Sequence, residues 1–528
     1  MTQLPLCFDA PQTPGVQEVL SWLRAHVASD ARLRADSREI CPGDVFLAYA
    51  VDGADSRAHA EAARQRGAAA VLWHPEGARD AAAMPAPAGD ASCAVLAVSH
   101  LDVLVGPIAS GWYGEPSATM TVLGVTGTNG KTSCSHWLSS ALDASGTRCA
   151  IVGTLGTGLP GQVVATGFTT PDAARLQHSL RELATAGARA VAMEVSSHAL
   201  HQGRVNGVEF DVALFTNLTQ DHLDYHGDLA HYEAAKGRLF DWPGLRAAVV
   251  NRDDAAGRRL LARLRGKVPT IAYGLEVSRE ALGDRELFAT DIRASAQGTA
   301  FVIDGSWGRR MVETHTIGRF NVANLLAVAG GLLALDMDWE SVLTRLSELE
   351  PVRGRMECLG GRPGSDEPLV VIDYAHTPDG LEQTLLALRA VADARAGRLL
   401  VAFGCGGDRD TGKRPLMGEI AARLADCVVL TSDNPRSEPP AQILAQIAAG
   451  IPAEAQARVR SIEDRASAIL QSVRAAAPAD VVLLAGKGHE STQEIAGRKR
   501  PFSDHDSARL ALAARATQAG APSWGGMQ

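Results

Sequence analysis

The densest chemistry in the sequence lies in Gly127-Thr128-Asn129-Gly130-Lys131-Thr132-Ser133. An apolar, strand-like run at 120–125 leads into it, and a helical pattern at 135–144 follows. Glycines let backbone N–H groups converge on a phosphate, a helix N-terminus favours negative charge, and Lys131 can neutralise terminal phosphates. Thr132 can offer its hydroxyl to Mg²⁺. The loop departs from the usual GxxxxGK[ST] pattern, whose first glycine would fall on Val125. A glycine-rich strand-to-helix turn is the plainer alternative. The coincidence of strand, loop, Lys-Thr pair and helix favours a site for ATP, used to drive a chemical reaction.

Two further polar runs follow apolar ones. Glu194-Val195-Ser196-Ser197-His198 comes after the strand-like 191–193, and Asn217 to His226 (NLTQDHLDYH) comes after 212–216. Both place carboxylates and imidazoles at the C-terminal ends of strands, where open α/β sheets bind ligands. Glu194 and His222 come from different strands that can converge, and both can ligate Mg²⁺ beside the phosphates, although histidine is an unusual partner for so hard a cation. Asp221, Asp224 and His226 read equally well as polar loop and capping residues. Lys236, in Tyr232-Glu233-Ala234-Ala235-Lys236, is a lone lysine on an Ala-rich helix and by its own chemistry reads as a solvated surface residue.

The elements that must position these groups fall into three blocks, 1–117, 118–350 and 351–528. A chain of 528 residues is long enough for about three domains. In the first block, 44–48 and 69–73 read as short strands, and 77–92, rich in Ala, Pro and Asp, reads as a loop. In the second, 191–195, 212–216 and 247–251 read as buried strands. In the third, 370–373, 399–404, 427–431 and 481–485 do so, between Ala/Leu-rich helices. Alternation of strand and helix over the last two blocks predicts an α/β protein with doubly wound parallel sheets. No internal repeat is visible. The formal net charge of −9 argues against a nucleic-acid partner, which calls for a basic domain. The eight cysteines include no CxxC pair and read as reduced thiols. The N-terminal MTQLPLCFDAPQTP lacks the pattern of a signal peptide. No apolar run approaches the roughly 20 residues that span a bilayer. A soluble, cytoplasmic protein is expected.

Eight segments together resemble the Mur ligase family: GTNGKTS (127–133), MEVSSHAL (193–200), NLTQDHLDYHG (217–227), GRFNVAN (318–324), DYAHTPD (373–379), FGCGGDRDTGKRPLM (403–417), DNPR (433–436) and AGKGHE (485–490). The match runs in order along nearly the whole chain and is weakest in the first block. Within the family it is similar to the ligases that add the third residue of the peptidoglycan stem peptide. The resemblance implies a small N-terminal α/β domain holding the UDP end, a central P-loop ATPase-like parallel sheet, and a C-terminal Rossmann-like domain receiving the amino acid. It implies an ATP- and Mg²⁺-dependent enzyme, expected to act as a monomer, with UDP-N-acetylmuramoyl-L-Ala-D-Glu and an amino acid as small-molecule substrates. Lys236 matches the lysine that becomes N6-carboxylysine, whose carbamate oxygens suit a second Mg²⁺; Lys131, Glu194, His222 and Lys236 would be catalytic, and Thr132, Glu194, His222 and Lys236 the metal ligands. Asn324, Arg355 and Asp373 lie in segments that contact the nucleotide. Thr169, Thr170, Ser196, Gln202 and Arg204 match residues holding the UDP-linked dipeptide, with Ser37, Asp52, Gly53 and Ala54 aligning loosely with the UDP contacts. Arg409, Asp433, Asn434, Pro435, Arg436, Gly486 and Glu490 match the amino-acid pocket.

The arginine of DNPR points to meso-diaminopimelate, since the family's lysine-adding members resemble the pattern without it. The chemistry agrees: Arg436 and Arg409 can grip a second carboxylate by charge-assisted bonds, while Asp433 and Glu490 suit the distal ammonium. By residue chemistry alone Asp433–Arg436 is also good turn sequence. The implied reaction activates the D-Glu γ-carboxylate as an acyl phosphate, which the amine then attacks, with closure of the third block over the second. The rivals are a sister ligase adding D-Ala-D-Ala or extending folate with glutamate, and a nucleotide switch without synthetic chemistry; the polar cluster at 194–226 argues against the switch.

Overall fold

The computed structural model describes residues 14–52, 54–76, 93–275, 280–294, 298–362 and 364–516. Gly53, the expected loop at 77–92 and the N-terminal run containing Cys7 lie outside the described residues. The chain divides into two compact units, 1–272 with 282–284, and 273–281 with 285–528.

Among its described residues the first unit holds a two-stranded hairpin at 50–55 and two larger sheets. In the smaller, β1 (Leu33–Arg34), β2 (Val45–Ala48), β3 (Ala70–Trp73) and β4 (Ala94–Ala97) pair in parallel in that order. β2 and β3 are apolar throughout and buried on both faces, as parallel strands are. One face packs against Val19, Leu23, Leu101 and Ile108, the other against Ile40, Ala60 and Ala63.

The larger sheet contains β5 (Thr121–Thr126), β6 (Cys149–Gly153), β7 (Gly156–Gly158), β8 (Ala190–Glu194), β9 (Val212–Phe215), β10 (Ala247–Asn251) and β11 (Thr270–Gly274), in the order β11-β10-β9-β5-β8-β6-β7. β5 lies between β8 and β9 and pairs in parallel with both. The chain leaves β5 first to one side and later to the other, so the carboxyl ends of β5, β8 and β9 open on a topological switch point. Helix α1 (Lys131–Ala144) starts there. Helix α2 (Ala173–Thr185) is capped by Asp172, whose side chain accepts from Arg175 N; its Ala173 and Ala174 join the core of the smaller sheet. Helix α3 (Leu229–Gly237) is capped in the same way by Asp228, and α4 (Ala255–Leu264) by Asp254.

The second unit begins with an antiparallel meander, β12 (Arg285–Ala294), β13 (Thr299–Gly305) and β14 (Gly308–Thr314), followed by the buried helix α5 (Arg319–Ala334). This corrects the expectation of parallel strand–helix alternation through to residue 350. β12 carries Leu287 and Ala289 inward between more exposed neighbours, the alternation of a sheet covered on one face, and it lacks the continuous apolar run of a parallel strand. The sheet that follows has the order β15-β16-β20-β17-β18-β19, comprising β15 (Glu357–Gly360), β16 (Leu369–Asp373), β17 (Leu399–Phe403), β18 (Cys427–Leu430), β19 (Val459–Ser461) and β20 (Val481–Ala485). All pairs are parallel except β15 with β16. Helix α6 (Pro378–Ala394) covers one face through Leu381, Leu385 and Leu388. Helices α7 (Arg465–Ala475) and α8 (Asp504–Ala516) cover the other, joined by Arg465 and Asp504, a bidentate ion pair at 2.6 and 2.7 Å with side chains at most 1% exposed.

Among the described residues every cysteine is a free thiol, and no helix is long and apolar enough to cross a membrane.

Candidate active site

The phosphate loop bridges β5 and α1. Gly127 (φ +146°) and Gly130 (φ +86°) adopt backbone conformations that side chains disfavour, and a Cβ on Gly127 would sit 1.9 Å from Thr216 Oγ1. The segment after β9 holds the loop from beside it. Asn129 N donates to Asn217 Oδ1 (2.8 Å), Thr128 N to Asn217 O (2.9 Å), and Thr216 Oγ1 to Asn129 O (2.6 Å). Lys131 Nζ donates to the carbonyls of Gly127 and Thr128, both at 2.8 Å. A second ammonium reaches the same carbonyl: Lys236 Nζ lies 2.7 Å from Gly127 O and 4.3 Å from the Tyr232 ring centre.

Lys236 is 1% exposed, which corrects its reading as a surface residue. Tyr232, Ala235 and Lys236 share the buried face of α3. An Ala-rich helix has no polar stripe to reveal which side turns inward. Burial, and then the charge of Lys131, pushes the Lys236 ammonium well below the usual lysine range, which favours the free amine.

Glu194 ends β8 fully buried. Its carboxylate accepts from Thr132 Oγ1 (2.9 Å), Thr154 N (2.8 Å) and Thr154 Oγ1 (3.0 Å). Thr154 Oγ1 also lies 3.0 Å from Thr169 Oγ1. Thr170, 1% exposed, donates its hydroxyl to Glu194 O and accepts from Ser196 N, so its side chain braces β8. Arg204 donates to Gln202 Oε1 (2.7 Å) and Thr170 O (3.2 Å). Gln202 Nε2 donates to Tyr225 OH, and Tyr225 donates in turn to Asp52. His201 Nδ1 lies 2.8 Å from the same phenol. A hydrogen-bonded series thus runs from the first-block hairpin at 50–55 through Tyr225, Gln202, Arg204 and Thr170 to the backbone carbonyl of Glu194. Asp52 sits at φ +47° in that hairpin, Ala54 is exposed, and Ser37 is buried in a short turn at 37–39. The His222 imidazole is half exposed, 3.4 Å from Asp221 and edge-on to His198.

Thr132 and Glu194 supply hard oxygen donors at the loop, which fits Mg²⁺. Among the described residues no group of three His, Cys, Asp or Glu side chains forms a ready metal cage. Mg²⁺ keeps several waters and takes phosphate oxygens, so one or two protein oxygens suffice.

In the second unit, Asp373 closes β16, accepting from Met356 N (2.8 Å) and Ala375 N (2.9 Å), with burial pushing its carboxyl up. Arg355 stacks over Tyr374 at 4.5 Å, and Asn324 is buried beside Asn321 on α5. The segments after β18 and β20 meet: Asn434 Nδ2 donates to Glu490 Oε2 (2.8 Å), and Gly486 (φ +111°) leaves room for Asp433 at 3.4 Å from where a Cβ would stand. Arg436 (φ +52°) donates to Gly407 O at 2.6 Å, Pro435 is buried, and Arg409 is exposed. At the centre lies Lys487, fully buried, 2.7 Å from Glu490 Oε2, 3.1 Å from Asn434 Oδ1 and 3.7 Å from Asp433 Oδ1. Sequence reasoning did not single out Thr154, Tyr225 or Lys487. The only signal for Lys487 was its place between two glycines in AGKGHE, and the other two stand in segments whose partners are remote in sequence.

A phosphate loop on a switch-point sheet, with a buried carboxylate at its threonine and a second Rossmann-like sheet bearing a buried charged cluster, is the architecture of nucleotide-dependent α/β enzymes. Residues 125–332 match the Mur ligase middle domain, and 354–488 match the Mur ligase, glutamate ligase domain. A UDP-N-acetylmuramoyl-L-alanyl-D-glutamate–2,6-diaminopimelate ligase of Ralstonia nicotianae is 56% identical over 98% of this chain and 100% of its own. A ligase of the same name from Janthinobacterium is 49% identical over 96% and 98%. A solved structure bearing that ligase name superposes with TM-score 0.65 at 35% identity, covering 92% of this chain and 95% of its own. MurF from Acinetobacter baumannii superposes with TM-score 0.60 at 19% identity, a likeness of fold alone. The chain belongs to the Mur ligase family.

Proposed function

We propose that the chain is an ATP-dependent ligase that joins meso-diaminopimelate to UDP-N-acetylmuramoyl-L-Ala-D-Glu in cytoplasmic peptidoglycan precursor synthesis. In this reading 1–117 holds the UDP end, 118–350 the ATP chemistry and 351–528 the amino acid. The observation that carries it is the Thr132–Glu194 pair at the phosphate loop, in a chain 56% identical to a ligase of that name.

The D-Glu γ-carboxylate attacks the γ-phosphorus of ATP, forming an acyl phosphate as ADP leaves. Lys131 neutralises charge on the β- and γ-phosphates, and the backbone N–H groups of 127–133 cradle them. Thr132, Glu194 and His222 would hold Mg²⁺, with Lys236 joining them if carbamylated, and a cation bound there would supply screening of the repulsion between carboxylate and triphosphate. Carbamylation needs a neutral amine, which the burial of Lys236 favours. The diaminopimelate amine then attacks the acyl carbon, phosphate leaves, and the nitrogen loses its proton. Arg204 and Gln202, with Thr169 and Ser196, orient the UDP-linked substrate; Asn434, Arg436, Arg409 and Glu490 orient the amino acid. Positioning and charge stabilisation supply most of the rate.

The test is phosphate release from ATP across diaminopimelate, lysine and D-Ala-D-Ala, with and without the UDP substrate. Release that needs both the UDP substrate and diaminopimelate is expected. Release with D-Ala-D-Ala in its place, or without any amino acid, sinks the reading. For Lys236, alkaline buffer with CO₂ should restore activity to an acid-treated, CO₂-depleted sample, and no recovery would remove the carbamate.

A further inference from the structure

Asp433 Oδ1 is buried and accepts no hydrogen bond from any described residue. Its nearest cation is Lys487, at 3.7 Å. The Lys487 ammonium is fully buried and also binds Asn434 Oδ1 and Glu490 Oε2. Lys487 thus stands between the two carboxylates that would receive a substrate ammonium. Around the same point, the Tyr374 phenol, raised first by burial, lies within electrostatic reach of Glu490, Arg355, Asp433 and Arg436.

We infer that Lys487 is a specificity-determining residue that sets the pocket's charge to match a zwitterionic distal end. The inference rests on the proposed function. Asp433 and Glu490 alone present two negative charges, a site that favours a bare ammonium such as the side chain of free lysine. Lys487 and Arg436 bring these four groups to zero, and the Arg465–Asp504 pair, also within electrostatic reach of Asp433, adds no net charge. The distal end of diaminopimelate carries one ammonium and one carboxylate and is itself neutral. It can give its ammonium to the open Asp433 oxygen and its carboxylate to Arg436. A lysine side chain would add an uncompensated cation beside the Lys487 ammonium and leave the Arg436 guanidinium without an anion. Repulsion of this kind, set against the wrong ligand, is how a site rejects a close analogue.

The experiment measures kcat/KM for diaminopimelate and for lysine in wild type and in Lys487→Met, Lys487→Gln and Lys487→Arg, with thermal melts of each. Wild type should favour diaminopimelate; if it does not, the proposed function fails before this inference is reached. Lys487→Met and Lys487→Gln should each lower the diaminopimelate-to-lysine ratio at least tenfold, and Lys487→Arg should keep it within threefold. Gln retains a donor for Asn434 and Glu490 but no charge, so it separates charge from bracing. A ratio unchanged in Lys487→Gln, or both substrates falling alike in every folded variant, overturns the inference. The KM for ATP should stay within twofold throughout.

Discussion

A lysine ammonium held almost wholly out of water, against one carbonyl and one aromatic face, destabilises the fold it belongs to. Lys236 is lowered well below the ordinary lysine value of 10.5, so between the two values the unfolded chain binds more protons. Stability of the unmodified protein therefore rises with pH across that window and is lost as pH falls through it. Lys236→Met should give a melting temperature no lower than wild type at neutral pH, while turnover falls by about a hundredfold or more, the scale of losing one charge-stabilising group. A drop of several degrees would mean that the bond to Gly127 outweighs the desolvation. Arg436→Ala should raise the KM for diaminopimelate about tenfold or more, because a charge-assisted carboxylate bond is lost; steady-state kinetics with the ATP KM as control would check it. The phosphate loop and Glu194 were legible because the run of residues itself carries the chemistry. Lys236 was legible only through family resemblance, since neither its neighbours nor its spacing shows that it faces inward. Lys487 was hidden because, of its partners, only Glu490 lies in its own segment, while Asn434 and Asp433 come from another.

Secondary-structure elements position these groups, and their ends matter most. Asp172 caps α2 two residues after Thr170, and the first turn of α2 packs into the smaller sheet. Asp172→Ala should cost about 1 kcal/mol of stability, the ordinary worth of such a cap. It should also raise the KM for the UDP-linked substrate more than it lowers kcat, because Thr169 and Thr170 lie just before the capped turn and Arg204 bonds the Thr170 carbonyl. Equal effects on the KM values of all three substrates would argue against that local role. Strands β9, β10 and β20 were readable in the sequence, as continuous apolar runs buried on both faces. The meander β12–β14 was not, because alternating strands with Arg, Glu and Asp on the outer face resemble polar linker when read for apolar runs.

At the scale of the whole molecule, two compact units predict unfolding that is not a single two-state event. Urea denaturation followed by fluorescence and circular dichroism should resolve two transitions. Asp504→Asn leaves the Arg465 guanidinium buried without its anion and should destabilise the second unit by about 3–5 kcal/mol. It should lower the midpoint of one transition and leave the other in place. A uniform shift of both would mean that the units unfold cooperatively. The loop at 127–133 carries a thermodynamic consequence of its own. Lys131 is bonded to the Gly127 and Thr128 carbonyls, and Lys236 Nζ reaches the same Gly127 oxygen. A nucleotide arriving there exchanges bonds and does not simply add them. A ligand with too few phosphates to draw Lys131 away recovers nothing for what it disturbs. Calorimetric titration should therefore show the triphosphate gaining far more enthalpy over the monophosphate than solution charge alone would give.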